Sequence, residues 1–274
     1  MGKLFVAASP LGNLGDISSR LVETLRACDI VAAEDTRRAR KLLNHVDAHP
    51  RVVSCHAQSP PERIEKLVSD LAEGRSVVML TDAGTPTISD PGRQLVASAR
   101  GLDVEVIAIP GPSAVTAALS VSGLPADRFL FLGFLPRKGS ERRKRFEEIS
   151  NSRWTVVIFE AAGRITGLLN ELSEVCGKNR EAVVARELTK LHEEARSGTL
   201  EELAVYYREN PPRGEITLVL SGSSESRTRP EPELVEQRAK ELLSAGKSRK
   251  DTANLVADEF SLPRREAYRL VCDI

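Results

Sequence analysis

The chain has 274 residues, of which 41% are hydrophobic and 28% are charged. This composition excludes wholesale disorder, and the length favours about two domains, each with room for a core. Basic and acidic residues both number 39, so the formal net charge is zero. A protein with this balance is not held on nucleic acid by bulk charge, although a local basic patch is still compatible with it.

Three features of the sequence bear on its compartment. The longest uncharged stretch, residues 106–126, is interrupted by prolines and glycines, which excludes one membrane-spanning helix. The apolar run near the N-terminus covers only Leu4–Ala8, which is too short for a secretion signal. The four cysteines are scattered, and no Cys-x-x-Cys pair occurs. We therefore expect a reduced, cytoplasmic protein without disulfides that does not associate with a membrane.

Short apolar runs alternate with amphipathic segments through residues 1–124. The runs that predict strands are Leu4–Ala8, Ile30–Ala33, Val52–Val53, Ser76–Leu80 and Val104–Ile109. Helical spacing of apolar residues lies between them, as at Ile17, Leu21 and Leu25. This alternation predicts a first α/β domain, whose mostly parallel sheet is covered by helices on both faces.

A second α/β domain is predicted over residues 125–222, after a hinge near Gly123. Its expected strands are Phe129–Phe134, Thr155–Phe159, Ala182–Ala185 and Glu215–Leu220, with helices around 140–150, 164–175 and 199–208. The polar segment Ser221–Glu231 is typical of a linker. Three short helical patterns then predict a small helix-turn-helix-like module over residues 231–274.

Three loops rich in glycine and proline follow predicted strands. They are Ser9–Asp16, Thr81–Gly92 and Pro110–Ala114. In an open parallel sheet the carboxyl ends of the strands line one edge, where ligands bind. Each loop by itself is also compatible with a plain turn between strand and helix. Their convergence on one edge, and the length of the second loop, favour a binding site there.

Several sharper motifs are absent. No Gly-x-Gly occurs, so the dinucleotide-binding fingerprint is missing. Gly246-Lys247-Ser248 resembles the end of a phosphate-binding loop, but the required upstream glycine is Glu241. His45, His49 and His56 have no accompanying cysteine pair or His-Glu-x-x-His motif, so we expect no metal site.

A series of motifs, taken together in their order, is specific for one family. The segments are Ala8–Ile17, Ala33–Arg37, Thr81–Pro86, Ile88–Gly92, Pro110–Ala114, Phe131–Lys138, Ala185–Lys190, Glu193-Glu194 and Gly214-Glu215. This order resembles the tetrapyrrole methylase superfamily of S-adenosylmethionine (SAM) enzymes, from about residue 3 to 220. Within that superfamily it resembles the methyltransferases that act on the 2′-hydroxyl of a cytidine in 16S ribosomal RNA.

The resemblance implies two α/β domains with SAM bound in the cleft between them, in a homodimer. The residues that it places against SAM are, by position, Pro10, Asp82, Thr85, Ser113 and Ala114, with Glu160, Ala161, Leu188 and Glu215 from the second domain. Asp82 also has a simpler interpretation, as a residue that caps its own loop.

Two segments depart from the family pattern. Where the family often has Phe-Tyr-Glu-x-Pro-His-Arg, this chain has residues 158–164, and Gly163 replaces the histidine. Where the family often has Ser-Tyr-His-Glu-His-Asn-Glu, this chain has residues 54–60, Ser-Cys-His-Ala-Gln-Ser-Pro. Both segments are expected to face the substrate. Either these positions are not essential, or the target is handled differently here.

Three residues are candidates for catalysis. A ribose hydroxyl is a weak acid, so a base or a nearby cation assists its attack on the methyl group. Glu34 and Asp35 follow a buried strand at the same edge as the loops, but either is equally suited to cap the next helix. Lys190 is a candidate to hold a phosphate or to stabilise the developing alkoxide, or else it is an ordinary solvated lysine.

One segment carries a strong local charge. Residues 137–145 contain six basic residues and one acidic residue. The basic residues are Arg137, Lys138, Arg142, Arg143, Lys144 and Arg145. Such patches bind backbone phosphates, although a solvated helix face gives the same pattern. The resemblance favours RNA.

The sequence thus predicts a SAM-dependent methyltransferase that acts on 16S ribosomal RNA or the small ribosomal subunit, and not on DNA. One alternative is an enzyme of the same fold that methylates a small molecule such as a tetrapyrrole. The basic segment and the polar tail argue against it. Another is a ribosome-binding protein that has lost catalysis.

Overall fold

A computed structural model describes residues 1–88, 92–223, 232–260, 262 and 264–274. Met1–Gly222 form one compact unit, and Ser223–Ile274 form another. The first unit contains two five-stranded sheets. Within the described ranges, every helix is too short or too polar to cross a membrane.

The first sheet is fully parallel, as predicted. Its strands are β1 (Lys3–Ala7), β2 (Ile30–Ala33), β3 (Arg51–Ser54), β4 (Val77–Leu80) and β5 (Glu105–Ile109). Their order is β3-β2-β4-β1-β5, and each neighbouring pair runs in the same direction. All residues of β2 and β4 are buried because these strands are covered on both faces, which explains their uninterrupted apolar sequence.

Helices cover both faces of this sheet. They are α1 (Ser19–Ala27), α2 (Thr36–His45), α3 (Pro61–Ala72) and α4 (Arg93–Gly101). Apolar residues of α1 and α2 pack with Val31 and Val78 on one face. Those of α3 and α4 pack with Ala32 and Met79 on the other. Neighbouring positions of one strand thus point to opposite layers, as pleating requires.

The second sheet is mixed. Its strands are β6 (Phe129–Phe134), β7 (Thr155–Ala161), β8 (Glu181–Arg186), β9 (Glu194–Thr199) and β10 (Glu215–Leu220), in the order β6-β7-β10-β8-β9. Only the pair β6–β7 is parallel, and the other pairs are antiparallel. The α/β class is confirmed, but the strand directions differ from the mostly parallel sheet that was predicted.

Two features of the strand pairing explain this difference. β8 and β9 are joined by residues 187–193, and so short a connection suits antiparallel neighbours. β10 inserts between β7 and β8 and is antiparallel to both. β7 and β8 therefore run in the same direction, as the strand–helix alternation predicts, but they do not pair with each other. β9 has the polar sequence Glu-Ala-Arg-Ser-Gly-Thr and carries no apolar signal from which it could be predicted.

One helix links the two sheets. α5 (Ala114–Ser122) follows the last strand of the first sheet, but its buried residues pack with Val157, Val183 and Val219 of the second sheet. The opposite face of the second sheet is covered by α6 (Ser140–Asn151), α7 (Ile165–Cys176) and α8 (Leu200–Glu209). The domain boundary near residue 124 stays a prediction.

The second unit is a three-helix module. It consists of α9 (Pro232–Ser244), α10 (Arg249–Phe260) and α11 (Arg264–Asp273). Val235, Val256 and Val271 are buried in its own small core, and each comes from a different helix. Most of the predicted linker, residues 224–231, lies outside the described residues.

We expect Tyr207→Phe to leave the free energy of unfolding unchanged or to raise it by up to about 1 kcal/mol. Tyr207 is 1% exposed, and its hydroxyl has no hydrogen-bond partner in the described part of the chain. Burial raises the pKa of this phenol to about 12. Tyr207→Ala, which removes the ring as well, should cost about 3–5 kcal/mol. Chemical denaturation followed by circular dichroism measures both, and a clear loss in Tyr207→Phe would contradict the expectation.

Candidate functional site

The three predicted loops meet at the carboxyl edge of the first sheet. The backbones of Ser9 and Gly84 exchange two hydrogen bonds of 2.9 and 3.0 Å. The Ser9 hydroxyl donates to the carbonyl of Thr81 at 3.0 Å, and the Thr85 hydroxyl donates to the carbonyl of Pro112 at 3.2 Å. The predicted convergence is therefore confirmed. Residues 89–91 of the second loop lie outside the described residues.

Glycine permits this close approach at two positions. Gly84 has a φ of +78°, and a Cβ there would lie 3.3 Å from Cδ2 of Leu11. A Cβ on Gly111 would lie 3.1 Å from the Cβ of Ala8. At Gly84 both the left-handed backbone and the close neighbour disfavour a side chain, and at Gly111 the close neighbour does. Larger residues at these positions would therefore push the loops apart.

A cleft of about 460 Å³ lies between these loops and the second sheet. Its lining includes most of the residues predicted to contact the methyl donor, namely Asp82, Thr85, Ser113, Ala114, Glu160, Ala161 and Glu215. Two others lie elsewhere. Pro10 is half-buried outside the lining, and Leu188 is buried in the core that α5 forms with the second sheet. The structure thus brings together two groups that are far apart in the chain.

Asp82 and Glu34 are joined across two neighbouring strand ends. Asp82 Oδ1 accepts a hydrogen bond from the backbone NH of Asp35 at 3.0 Å. The backbone NH of Asp82 donates to Glu34 Oε2 at 3.4 Å. Arg38 Nε lies 3.5 Å from Asp82 Oδ2. Glu34, Arg38 and Asp82 all line the cleft, so one wall of it carries two carboxylates and one guanidinium.

Asp35 caps α2. Its Oδ1 accepts from the backbone NH of Arg37 at 2.8 Å, and its Oδ2 accepts from Arg37 Nη2 at 2.8 Å. The hydrogen bonds from the Arg37 side chain and backbone hold the pKa of this carboxyl well below its usual range. A carboxylate that is stabilised in this way is a weak base. Asp35 therefore has the helix-capping role that was the alternative for it.

Lys190 is held between two carboxylates. Its Nζ donates to Glu187 Oε1 at 2.9 Å and to Glu215 Oε2 at 3.0 Å. Burial opposes the charge of this ammonium, but the two hydrogen bonds outweigh it and raise its pKa above the usual value. The hydrogen bond from Lys190 lowers the pKa of Glu187. Lys190 is thus a fixed cation beside a cleft residue, and not a base.

The backbone around Lys190 is strained. Glu187 and Thr189 have φ values of +50° and +67°, which lie in the left-handed region that side chains disfavour. The Glu187 carboxylate also accepts from the backbone NH of Glu215 at 3.0 Å. A Cβ on Gly12 would collide with the Lys190 side chain, so this lysine packs against the first loop. Strained positions persist only where neighbours fix them, and they cluster at functional sites.

Glu160 is a buried carboxylate in the cleft wall, and its ion-pair partner is partly exposed. The glutamate is 4% exposed, accepts from the backbone NH of Ala161 at 2.7 Å and pairs with Arg164. Gly163, which replaces the histidine of the family pattern, has open space where a Cβ would be. The glycine is therefore not required by packing.

The basic segment is partly neutralised within the fold. Arg142 donates to both carboxylate oxygens of Glu171 at 2.9 and 2.8 Å, and Arg145 pairs with Glu148 at 2.7 Å. The remaining basic residues of the segment are exposed and have no ion-pair partner among the described residues. They are Arg137, Lys138, Arg143 and Lys144.

Sequence reasoning missed several cleft residues, of which three have large side chains suited to contact a ligand. Arg38 lines the cleft from α2, and Phe134 and Phe159 line it from β6 and β7. The two ring centroids are 5.6 Å apart, and Phe134 is 57% exposed. The sequence contained a signal that could have found both phenylalanines. Each is an aromatic residue at the carboxyl end of a predicted strand.

Comparisons with known proteins agree with this geometry. Residues 3–204 match the family described as Tetrapyrrole (Corrin/Porphyrin) Methylases. A Synechocystis protein named Ribosomal RNA small subunit methyltransferase I is 40% identical over 275 residues, which cover 100% of this chain and 99% of the relative. A Thermotoga maritima protein of the same name is 42% identical over 222 residues, which cover 81% of this chain and 99% of the relative.

A solved structure shares the fold. It is the uroporphyrin-III C-methyl transferase from Thermus thermophilus complexed with S-adenyl homocysteine. The TM-score is 0.56 at 19% identity, and the match covers 80% of this chain and 97% of that one.

Proposed function

The chain belongs to the tetrapyrrole (corrin/porphyrin) methylase family, and from that premise we propose that it methylates ribosomal RNA with SAM as donor. The finer proposal is that the acceptor is the ribose 2′-hydroxyl of a cytidine in 16S ribosomal RNA. The observation that carries the proposal is the cleft. In it, the loops at the carboxyl edge of the first sheet face residues of the second sheet.

The lining of the cleft fits a bound SAM molecule. Its volume of about 460 Å³ is within the range of roughly 300–1,000 Å³ usual for small-molecule sites. Small residues such as Ala83, Gly84 and Ala114 let a ligand reach the backbone. The Ser113 hydroxyl does not cap α5 and has no partner in the described part of the chain, so it is available for a ligand. The solved neighbour that holds S-adenyl homocysteine supports the same assignment.

SAM supplies a methyl group on a cationic sulfonium, and its thioether leaving group needs no acid. The chain must therefore hold donor and acceptor in line and assist loss of the acceptor's proton. Glu34 is our proposed base, because it lines the cleft and its Oε1 has no hydrogen-bond partner in the described part of the chain. Asp35 is held by its cap, and Lys190 stays protonated.

Lys190 is our proposed positioning residue. Its ammonium fixes Glu215, which lines the cleft, and also ties the strained 187–190 segment to the first loop. In this role it acts through Glu215 and does not touch the reacting atoms.

The acceptor is proposed from the relatives and from charge. Two relatives that carry the name Ribosomal RNA small subunit methyltransferase I match this chain over 275 and 222 residues. The first compact unit ends at Gly222, so we propose that this unit carries catalysis without the three-helix module. Arg137, Lys138, Arg143 and Lys144 are the residues of the basic segment that are available for phosphates. Arg142 and Arg145 bind RNA only if they release their glutamates.

Mass-spectrometric mapping of ribose methylation in small-subunit RNA, from cells with and without this gene, tests the function. We expect one cytidine to lose its 2′-O-methyl group when the gene is deleted. An unchanged RNA would contradict the proposal, and methylation of a tetrapyrrole by the purified protein would favour the small-molecule alternative. Absence of SAM binding at equilibrium would favour the alternative of a non-catalytic ribosome-binding protein.

Homodimer formation and cytoplasmic location stay predictions. Analytical sedimentation tests whether the protein is a homodimer.

We expect Lys190→Met to lower the free energy of unfolding by about 1 kcal/mol, since it leaves a partly buried Glu187 carboxylate unpaired. Glu187 has a lowered pKa, so its contribution is present above its ordinary value of 4.5 and is lost as the pH falls. Lys190 has a raised pKa, so its contribution is present below its ordinary value of 10.5 and is lost as the pH rises.

The stability difference between wild type and Lys190→Met should therefore be flat between these two values and shrink outside them. Denaturation series at several pH values measure it. Lys144→Met removes an exposed and unpaired lysine and is the matched control. A difference of the same size in that control would contradict the role of the ion pair.

A further inference from the structure

The helix α2 carries an unusual concentration of one charge. Its ten residues, Thr36–His45, include Arg37, Arg38, Arg40 and Lys41 and no acidic residue. The buried residues Ala39, Leu42 and Leu43 face the core on the first sheet. All four basic side chains belong to exposed residues. The helix thus has an apolar inner face and a uniformly basic outer face.

Only part of this charge is neutralised by the fold. Arg37 pairs with Asp35, and Arg38 lies 3.5 Å from a single oxygen of Asp82. Arg40 and Lys41 have no hydrogen bond or ion pair with any residue that the structure describes. By contrast, α6 carries three glutamates among its twelve residues, and two of its arginines are held by carboxylates. Helix α2 therefore carries a larger net charge than α6, and Arg40 and Lys41 keep theirs unpaired.

Folding does not explain this pattern. Lys41 lies four residues after Arg37 and three after Arg38, and Arg40 lies three after Arg37. Like charges at these spacings are neighbours on a helix surface and destabilise it. Their placement together on the exposed face therefore costs stability, and it favours a role in binding a ligand of opposite charge.

The position of α2 suggests which ligand. The helix begins directly beyond Glu34, and its cap residue Asp35 is bonded through its backbone NH to Asp82 in the cleft. Arg38 itself lines the cleft. Lys41 lies six residues beyond Asp35, or about 9 Å along the helix axis. The basic face therefore runs continuously from the cleft to the outer surface of the unit.

We infer that the exposed face of α2, formed by Arg37, Arg38, Arg40 and Lys41, binds the phosphodiester backbone of the substrate RNA next to the nucleotide in the cleft. This inference rests on the proposed function, because it requires an RNA substrate. Backbone phosphates favour closely spaced guanidinium and ammonium groups, and each such contact releases a counterion. The contact would fix the register of the strand and would carry little base specificity.

Neutralisation of Arg40 and Lys41 in the full chain tests this inference. In the Arg40→Gln/Lys41→Gln variant, we expect the affinity for a small-subunit RNA fragment to fall about tenfold or more at moderate salt. The slope of log affinity against log salt should decrease in magnitude by about 1.4–1.8, which corresponds to two phosphate contacts. The affinity for SAM should not change, and the melting temperature should stay the same or rise because like-charge repulsion is relieved.

Arg100→Gln is the control variant. Arg100 is exposed in the last turn of α4, which packs on the other face of the sheet from α2, and no described residue pairs with its side chain. We expect its RNA affinity and salt slope to match those of wild type. The same loss in this control would show that any basic residue has the effect, and it would overturn the inference.

Three other outcomes would overturn it in distinguishable ways. If wild type binds and methylates the RNA and the double variant binds equally well, α2 does not contact the backbone, and the proposed function stands. If wild type itself neither binds nor methylates small-subunit RNA, the proposed function fails as well. If the double variant changes the sedimenting mass of the protein without changing RNA affinity, α2 is a protein–protein surface instead.

Discussion

Replacement of Ser113 with tryptophan should weaken SAM binding at least about 100-fold, or about 2.7 kcal/mol, while the protein stays folded. Ser113 lines the cleft at the start of α5, and its side chain makes no capping hydrogen bond to that helix. An indole at this position would occupy the volume that the donor needs without removing a contact that holds the fold. Equilibrium dialysis measures the affinity, and circular dichroism checks the fold.

Ser113→Ala separates volume from hydrogen bonding at the same position. It removes one neutral hydroxyl, so we expect SAM affinity to fall by no more than about tenfold. Methyl transfer at saturating SAM should continue. If the tryptophan variant binds SAM as well as wild type does, the donor does not lie in this cleft, and the proposed assignment of the loops fails.

The Glu34→Gln substitution should slow methyl transfer by about 10²- to 10⁴-fold, the usual range for loss of a general base. Glu34 lies in the cleft wall beside Asp82, and its amide replacement keeps the size and the acceptor oxygen that faces the Asp82 backbone NH. SAM binding should therefore change little. Single-turnover transfer to small-subunit RNA at saturating SAM measures the chemical step directly.

Asp35→Asn is the matched comparison, since it changes the neighbouring carboxylate to its amide. Asparagine also caps helices well, so α2 should persist, and the rate of methyl transfer should stay near that of wild type. Equal losses in both variants, or a normal rate in Glu34→Gln, would remove Glu34 from the role of base. A defect in Asp35→Asn alone would reassign that role to Asp35.

The first sheet shows how much of the fold can be predicted from local sequence patterns. Mostly apolar runs of two to six residues, separated by helices with apolar periodicity, predicted each of its strands and their parallel arrangement. The reason is that a strand buried on both faces has few residue types available to it, and helix connections favour parallel neighbours. The same reasoning placed the loops of Ser9, Gly84 and Pro112 at one edge, where they are hydrogen-bonded to each other.

The second sheet shows which features local sequence patterns do not predict. The polar edge strand β9 is recognisable only from its pairing with β8, because its sequence has no apolar pattern. The insertion of β10 between β7 and β8 depends on pairing between segments far apart in the chain. Side-chain roles depend on it too. Whether Arg142 is free for RNA is decided by Glu171, a residue on another helix, and the raised pKa of Lys190 comes from its hydrogen bonds to Glu187 and Glu215.

The amino-acid order alone determined the helices, most of the strands, the fold class and the segments from which a donor site is built, because these follow from local periodicity and from glycine and proline at strand ends. Only the tertiary structure decided which of two adjacent carboxylates caps a helix and which lines the cleft, and which basic residues keep an uncompensated charge. Electrostatic roles are set by distance to partners from other elements, and those distances exist only after the chain has folded.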